Sequence, residues 1–350
     1  RFRFSAAEGT LCVLSQNLLP AQPRKHKLFP LLERCATDYE IISFLSVLSH
    51  RSVCTARCKY SGQTVCLKVY NKKKLSNESR GFQMSLRQVY REVRNFGKVT
   101  GHENIVLLFC AFENDAAVVL VQEWDPLFAS LTTTFQWQRA KPNVVANLAS
   151  GMLLALRRLH SLNVLHGDLK PDNVLCNSKT GEVKVLDFGL SLDLSRETPS
   201  FPTGTLPYCE PEVVYSLLLA PNSEAQRCLQ HRFSSKASLK SDIWSLGVIV
   251  FELSTGILPF DSMIKQKCIE LIVYSDVQSN CELTGLQEQF INRALTKDPE
   301  RRPSAEQLAA DEFLQPKRLS QIWQKFHESI SCHSLQDTCV PKLCGPYNQL

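Results

Sequence analysis

The chain has 350 residues, of which 44% are hydrophobic and 21% charged, and it carries a net charge of +6. That composition is enough for one large domain or two closely packed lobes with sizeable cores. It offers no Lys/Arg block dense enough for a nucleic-acid partner and no run near the roughly 18 apolar residues of a membrane span, so a soluble protein with neither kind of partner is expected.

Fourteen cysteines are present. Cys66, Cys110, Cys176 and Cys268 each stand in an apolar run, the pattern of reduced, buried thiols in an intracellular protein, in the cytoplasm or the nucleus. No CxxC pair occurs, which argues against a zinc ribbon or a redox motif. Cys332, Cys339 and Cys344 fall into no pattern.

Residues 1–37 mix basic residues, prolines and short apolar runs without a period and read as an extension. From Asp38 the pattern turns β-like. YEIISFLSV, SVCTARCKY and TVCLKVY predict a three-stranded antiparallel meander, and Lys72-Lys73-Lys74 reads as a solvated turn after it. Leu86, Val89, Val93, Phe96 and Val99 recur at helical spacing over 85–99. IVLLFCAF and AAVVLVQEW predict two further strands joined by Asn114-Asp115. Beyond about Asp125 helices dominate. Val145, Leu148, Met152, Leu156 and Leu159 form one stripe over 142–161, with Pro142 suited to the helix start. NVLC and EVKVL flank Lys179-Thr180-Gly181 as a small hairpin. SDIWSLGVIVFELSTG is apolar nearly all round, as a helix buried in a core should be, and amphipathic helices continue to about residue 326. A β-rich front and a helical back meeting near residue 125 predict an α+β fold of two lobes with a cleft between them.

Chemistry concentrates in HGDLKPDN (residues 166–173) and in Asp187-Phe188-Gly189. Phosphoryl transfer from ATP needs a carboxylate to orient the attacking hydroxyl, a cation to offset the moving charge, and oxygen ligands for magnesium. Asp168, Lys170, Asn173 and Asp187 supply that set. Turn chemistry is the bland alternative for Pro171-Asp172-Asn173, but it leaves the second acidic motif unexplained.

These motifs resemble, in order, those of the eukaryotic protein kinase family, serine/threonine type, over approximately residues 38–315. The resemblance implies a bilobal fold with a small β-rich lobe (38–124) and a larger helical lobe (125–315), followed by a tail (316–350). It implies ATP and Mg2+ as cofactors and serine or threonine hydroxyls of protein substrates as acceptors; it says nothing of oligomeric state. VCLK resembles the third-strand VAIK motif and makes Lys68 the phosphate-gripping lysine, with Glu92 as its helix partner. HGDLKPDN resembles HRDLKPEN, with Asp168 as base, Lys170 on the γ-phosphate and Asn173 on the metal with Asp187. GTLPYCEPE resembles the GTxxYxAPE segment. Through it Thr205 is implied to buttress Asp168 and Lys170, Glu212 to pair with Arg302, and Asp242 to hold the catalytic-loop backbone. Gln122 falls at the gatekeeper position, Glu123 and Asp125 at the hinge, and Val53, Cys66 and Leu175 around the adenine.

The chain departs from the family in several places. Ser46, Leu48 and Arg51 stand where the nucleotide loop has its three glycines, so the backbone is expected to stand off the phosphates. Arg51 could either compensate with its charge or be solvated. Cys66 replaces a small alanine above adenine, and Glu210 the alanine of APE. SLLLAPNSEAQRCLQHRF (216–233) reads as an insertion. Gly167 replaces the arginine that clamps an activation-loop phosphate, and the two other basic clamp positions hold Gln88 and Leu192. Activity independent of phosphorylation at Thr198, Ser200 and Thr203 is therefore expected. A pseudokinase that binds nucleotide or scaffolds is the alternative function, favoured by the nucleotide loop and opposed by the complete Lys, Glu, Asp, Asn, Asp set. A small-molecule kinase is the weaker third.

Overall fold

The computed structural model describes residues 35–75, 85–136, 138–198, 204–215, 238–277 and 283–314. Residues 1–34, the insertion at 216–233, Ser200, Thr203 and the tail, including the amphipathic stretch 319–330, lie outside the described residues. Two compact units emerge: one runs through Pro126 and also takes in Asp187–Ser191, and the other comprises Leu127–Leu186 and the chain from Leu192.

The first unit is built on a five-stranded sheet of order β1-β2-β3-β5-β4. Its strands are β1 (Tyr39–Val47), β2 (Arg51–Cys58), β3 (Thr64–Asn71), β4 (Leu108–Glu113) and β5 (Ala117–Glu123). Every neighbouring pair is antiparallel. Because side chains alternate along a strand, the register sorts the residues by face. Cys54, Ala56, Val65, Leu67, Val119 and Val121 join Tyr39, Cys58, Cys110 and Phe112 in one buried cluster. The other parity holds Arg51 opposite Tyr70, Val53 opposite Lys68, and Cys66 opposite Gln122, which places the polar residues of interest on one face.

The lysine run is helical rather than a turn, and while Lys73 and Lys74 are exposed as expected, Lys72 is not. It forms α1 (Lys72–Leu75), and Lys72 Nζ lies 2.7 Å from Glu113 Oε2 with both side chains half-buried. The strand expected from Ile105 begins only at Leu108. The amides of Leu107 and Leu108 donate instead to Glu123 Oε1 (2.9 Å) and Thr100 Oγ1 (2.8 Å). Helix α2 (Leu86–Val99) follows its predicted span and buries Val89, Val93, Phe96 and Val99. It opens with a capping box in which Ser85 Oγ accepts from Gln88 N and Gln88 Oε1 accepts from Ser85 N.

The second unit is mainly helical, with small ladders. Strands β6 (Phe128–Ser130), β8 (Val174–Asn177) and β9 (Val183–Val185) form one, and β7 (Val164–Leu165) with β10 (Leu192–Asp193) another. Short α3 (Leu131–Phe135) precedes α4 (Pro142–Ser161), which has Pro142 at its first position and buries the whole predicted stripe. After α5 (Pro211–Val214), α6 (Leu239–Thr255) is buried from Ser241 to its end, as its unbroken apolar sequence requires. Ser238 caps it at the start and Gly256, at φ 77°, ends it. Helix α6 packs closely on α8 (Gly285–Ala294) at Gly247. A Cβ there would stand 2.8 Å from both Ala294 Cβ and Leu295 Cδ2. Trp244 of α6 stacks on Phe260 with ring centroids 5.6 Å apart, and the Arg302 guanidinium covers the indole at 5.2 Å. Helices α7 (Lys265–Tyr274) and α9 (Ala305–Ala309) complete the described part.

Candidate active site

In the first unit four charged side chains and one tyrosine form a connected network. Lys68 Nζ donates to Glu92 Oε1 at 2.7 Å and to Asp187 Oδ1 at 2.8 Å. Glu92 is fully buried on α2, and the Tyr70 hydroxyl donates to its other oxygen at 2.5 Å. Arg51 Nη1 lies 3.3 Å from Asp187 Oδ2 with most of its side chain covered, so the solvated alternative does not hold. Burial disfavours the charge on Lys68, yet Asp187 and Glu92 beside it hold its pKa far above the ordinary range. Burial likewise opposes ionisation of Asp187, but Lys68 and Arg51 hold its carboxyl well below the usual range. Tyr70 is pushed far up, by burial first and then by the Glu92 charge.

Asp187 has a φ of 64°, a left-handed backbone that aspartate tolerates better than most residues. Its neighbours fix it there. Phe188 is fully buried and stacks on Phe96 of α2 at 4.8 Å. Asn95 Nδ2 donates to Ser191 O at 3.1 Å, and Gly189 N donates to Asp187 Oδ1 at 3.1 Å.

In the second unit the catalytic-loop residues converge on Asp168. Thr205 Oγ1 donates to Asp168 Oδ1 and accepts from Lys170 Nζ, both at 2.7 Å. Asp168 Oδ2 faces Lys170 Nζ at 2.9 Å and accepts from Asn173 Nδ2 at 3.1 Å. Asn173 Nδ2 also donates to the Asp168 carbonyl at 2.8 Å, so both of these hydrogen bonds use the amide nitrogen and neither uses the amide oxygen.

The loop backbone is held from Asp242 at the start of α6. Its Oδ2 accepts from His166 N at 3.0 Å and its Oδ1 from Gly167 N at 3.1 Å. Gly167 has a φ of 76°, a conformation that glycine alone adopts without steric cost. Glu212 and Arg302, both almost fully buried, form a bidentate pair at 2.8 and 2.9 Å.

This arrangement and its motif order decide the family: a model described as protein kinase domain matches residues 49–314. The chain belongs to the protein kinase family. It is 30% identical over 280 residues to serine/threonine-protein kinase 36 of Mus musculus, which covers 79% of this chain and 19% of that protein. It is 27% identical over 267 residues to calcium-dependent protein kinase 2 of Arabidopsis thaliana (73% of this chain, 37% of that one). It is 30% identical over 272 residues to an Aurora kinase of Dictyostelium discoideum (77% and 63%). The chain thus spans between about a fifth and two thirds of these relatives' lengths.

The remaining predicted residues of this kinase domain fall as follows. Val53 and Cys66 are half-buried on the Lys68 face of the sheet, and burial raises the Cys66 thiol to about 11. Gln122 is buried and Glu123 half-buried at the end of β5, while Asp125 is exposed just beyond it. Glu123 N donates to Leu107 O at 2.9 Å. Leu175 is half-buried on β8 of the second unit. Cys66 differs from Cys110, Cys176 and Cys268 in being only partly buried.

Two of the missing clamp residues have other work. Gln88 closes the capping box of α2, and Leu192 pairs with Leu165 in the β10–β7 ladder and is buried. Tyr70 is the residue that motif reading passes over. Its place two residues after Lys68, hence on the same strand face, is the signal that marks it.

Asp187, in the first unit, carries a carboxylate and Asn173, in the second, an amide oxygen; each is a ligand type that a divalent cation takes. Arg51 Nε is buried with no partner among the described residues, a donor that an anion would satisfy.

Proposed function

We propose that this domain transfers the γ-phosphate of ATP to serine or threonine hydroxyls of protein substrates. The observation that carries the reading is Thr205 Oγ1 bridging Lys170 Nζ and Asp168 Oδ1 at 2.7 Å each. Such a bridge locks a carboxylate and an ammonium into one orientation, as phosphoryl transfer requires and as a scaffold does not.

In this reading Asp168 orients the acceptor hydroxyl and takes up its proton. Lys170 beside it offsets charge on the transferred group. Lys68, fixed by Glu92, would hold the nucleotide phosphates; Asp187 of the first unit and Asn173 of the second would each offer a ligand oxygen to magnesium, which when bound neutralises phosphate charge. The lysine two residues after Asp168 supports serine/threonine rather than tyrosine acceptors.

One observation favours a second reading, a nucleotide-binding or scaffolding pseudokinase: the glycine-free β1–β2 turn. It is pinned by Leu48 N donating to Arg51 O (2.7 Å) and Asn71 N to His50 O (3.0 Å). The experiment is γ-phosphate transfer to a generic protein substrate with magnesium, run beside Asp187→Asn. Transfer well above that variant is expected. Equal traces from two folded proteins overturn the kinase reading in favour of the scaffold.

A further inference from the structure

The contact between Arg51 and Asp187 places a permanent cation where an ATP-binding kinase domain has its metal ligand. Asp187 has two oxygens. Oδ1 is taken by Lys68 Nζ (2.8 Å) and Gly189 N (3.1 Å), and Oδ2 faces Arg51 Nη1 (3.3 Å). A metal binding Asp187 would use the oxygen that Arg51 already faces.

Arg51 is not there by chance of a loose side chain. It is the first residue of β2, paired in register with Tyr70, and its carbonyl accepts from Leu48 N at 2.7 Å. The turn just before it is tied down as well, by Asn71 N donating to His50 O at 3.0 Å. None of the described non-glycine residues with positive φ lies in this turn, so its conformation is open to ordinary side chains and needs no glycine. Only 23% of the Arg51 side chain is exposed. Burial works against its charge, but Asp187 and Tyr70 hold the guanidinium above its ordinary pKa.

The charges in this network therefore balance without a metal. Lys68 and Arg51 face Glu92 and Asp187, two cations against two carboxylates. Without Arg51 the same site would be net negative and would repel a polyphosphate until a divalent cation entered. A guanidinium has five N–H donors in a fork that matches phosphate oxygens. One of them, Nε, has no hydrogen-bond partner among the described residues, while the guanidinium also engages the Tyr70 hydroxyl.

We propose that Arg51 stands in for the metal cation at Asp187 while nucleotide binds, so that this domain binds ATP with little dependence on magnesium; the magnesium of the transfer step would enter later and take Oδ2 from Arg51. Arg51 neutralises Asp187 and turns its remaining donors to the nucleotide phosphates, replacing the backbone cradle that the missing glycines would have formed. The inference rests on the ATP-binding reading above, and its test reads binding rather than turnover.

The test is the Kd for ATP by titration calorimetry, in excess magnesium and in EDTA, for wild type, Arg51→Gln and Arg51→Lys. Wild type should bind in EDTA within about threefold of its affinity in magnesium. Arg51→Gln should raise that ratio by about tenfold or more, equivalent to about 1.4 kcal/mol, and Arg51→Lys should fall between. The wild-type ratio needs no variant: metal-free binding weaker by more than about thirtyfold, about 2 kcal/mol, overturns the inference even if Arg51→Gln does not fold. An unchanged ratio in a folded Arg51→Gln also overturns it, as does tighter metal-free binding by that variant. If wild type transfers phosphate yet fails the EDTA measurement, only the inference falls. If it binds ATP in neither condition, the kinase reading falls with it.

Discussion

The Tyr70 hydroxyl donates to Glu92 Oε2 at 2.5 Å while Lys68 Nζ holds Oε1 at 2.7 Å, so both oxygens of a fully buried carboxylate are fixed. Lys68 also lies over the Tyr70 ring, 5.5 Å from its centroid. Removing only the hydroxyl leaves one oxygen of Glu92 without its donor, at a cost of about 1–3 kcal/mol. Tyr70→Phe should therefore lower the Tm and reduce kcat/KM for ATP by about tenfold. Steady-state kinetics beside thermal melts check this; unaltered kinetics would show that Lys68 alone positions Glu92.

Thr205 joins Asp168 and Lys170 through one hydroxyl, and that hydroxyl is what matters. Thr205→Val keeps the shape and deletes both hydrogen bonds, and a loss of about tenfold to a hundredfold in kcat is expected. Thr205→Ser keeps the oxygen and should retain most of the activity. Equal losses in the two variants would show that the methyl group, not the bridge, sets the loop.

Glu252 makes stability depend on pH. Its side chain is buried on α6, Oε2 accepts from Tyr208 Oη at 2.8 Å, and Oε1 has no partner among the described residues. Burial, against the Tyr208 hydrogen bond, pushes the carboxyl from 4.5 up to about 7. A raised folded pKa means the folded state binds the proton more tightly than the unfolded one. The stabilisation is complete below about 4.5 and is lost as pH rises through about 7. It amounts to about 3 kcal/mol at most. Glu210, raised to about 7 by burial and by the Glu212 charge, adds a slope of the same sign. Denaturant melts between pH 5 and pH 8 should show stability falling with pH, and Glu252→Gln should flatten part of that fall. An unchanged slope in Glu252→Gln would exclude this residue as the source.

Gly247 lets α6 and α8 approach closely. The added methyl of Gly247→Ala meets Ala294 Cβ and Leu295 Cδ2 at 2.8 Å, and overpacking of this kind costs about 1–3 kcal/mol. The helix propensity of alanine offsets up to about 1 kcal/mol of that. A lowered midpoint in urea is the expected result, with ATP affinity in the surviving folded protein unchanged.

Gly167, Gln88 and Leu192 stand at the three positions where the family resemblance implies a basic clamp for an activation-loop phosphate. Gln88 and Leu192 are committed to a helix cap and a strand ladder, and Gly167 has no side chain to offer. Joint replacement of Thr198, Ser200 and Thr203 by alanine should therefore leave turnover within about tenfold of wild type, or about 1.4 kcal/mol. A larger loss, with folding intact, would show that a phosphate is recognised by other groups.

The sequence by itself marked which residues are candidates for the chemistry. Asp168, Lys170, Asn173, Asp187, Lys68 and Glu92 were legible because each sits in a motif of fixed spacing. The long helices were legible because their apolar residues keep a helical period over many turns. Tertiary structure decided what spacing cannot encode. It made Lys72 a partner of Glu113, made Tyr70 the second support of Glu92, and grouped Asp187–Ser191 with the first unit.

It also decided Arg51. From the sequence, a charged residue at a turn is as readily solvated as paired, because its partner is 136 positions away. Only the strand register, which sets Arg51 on the same face as Lys68 and Tyr70, brings it to Asp187. Local patterns record the local forces on a residue. The partner of a charge is fixed by which distant backbone comes near it, and that depends on the packing of the whole unit.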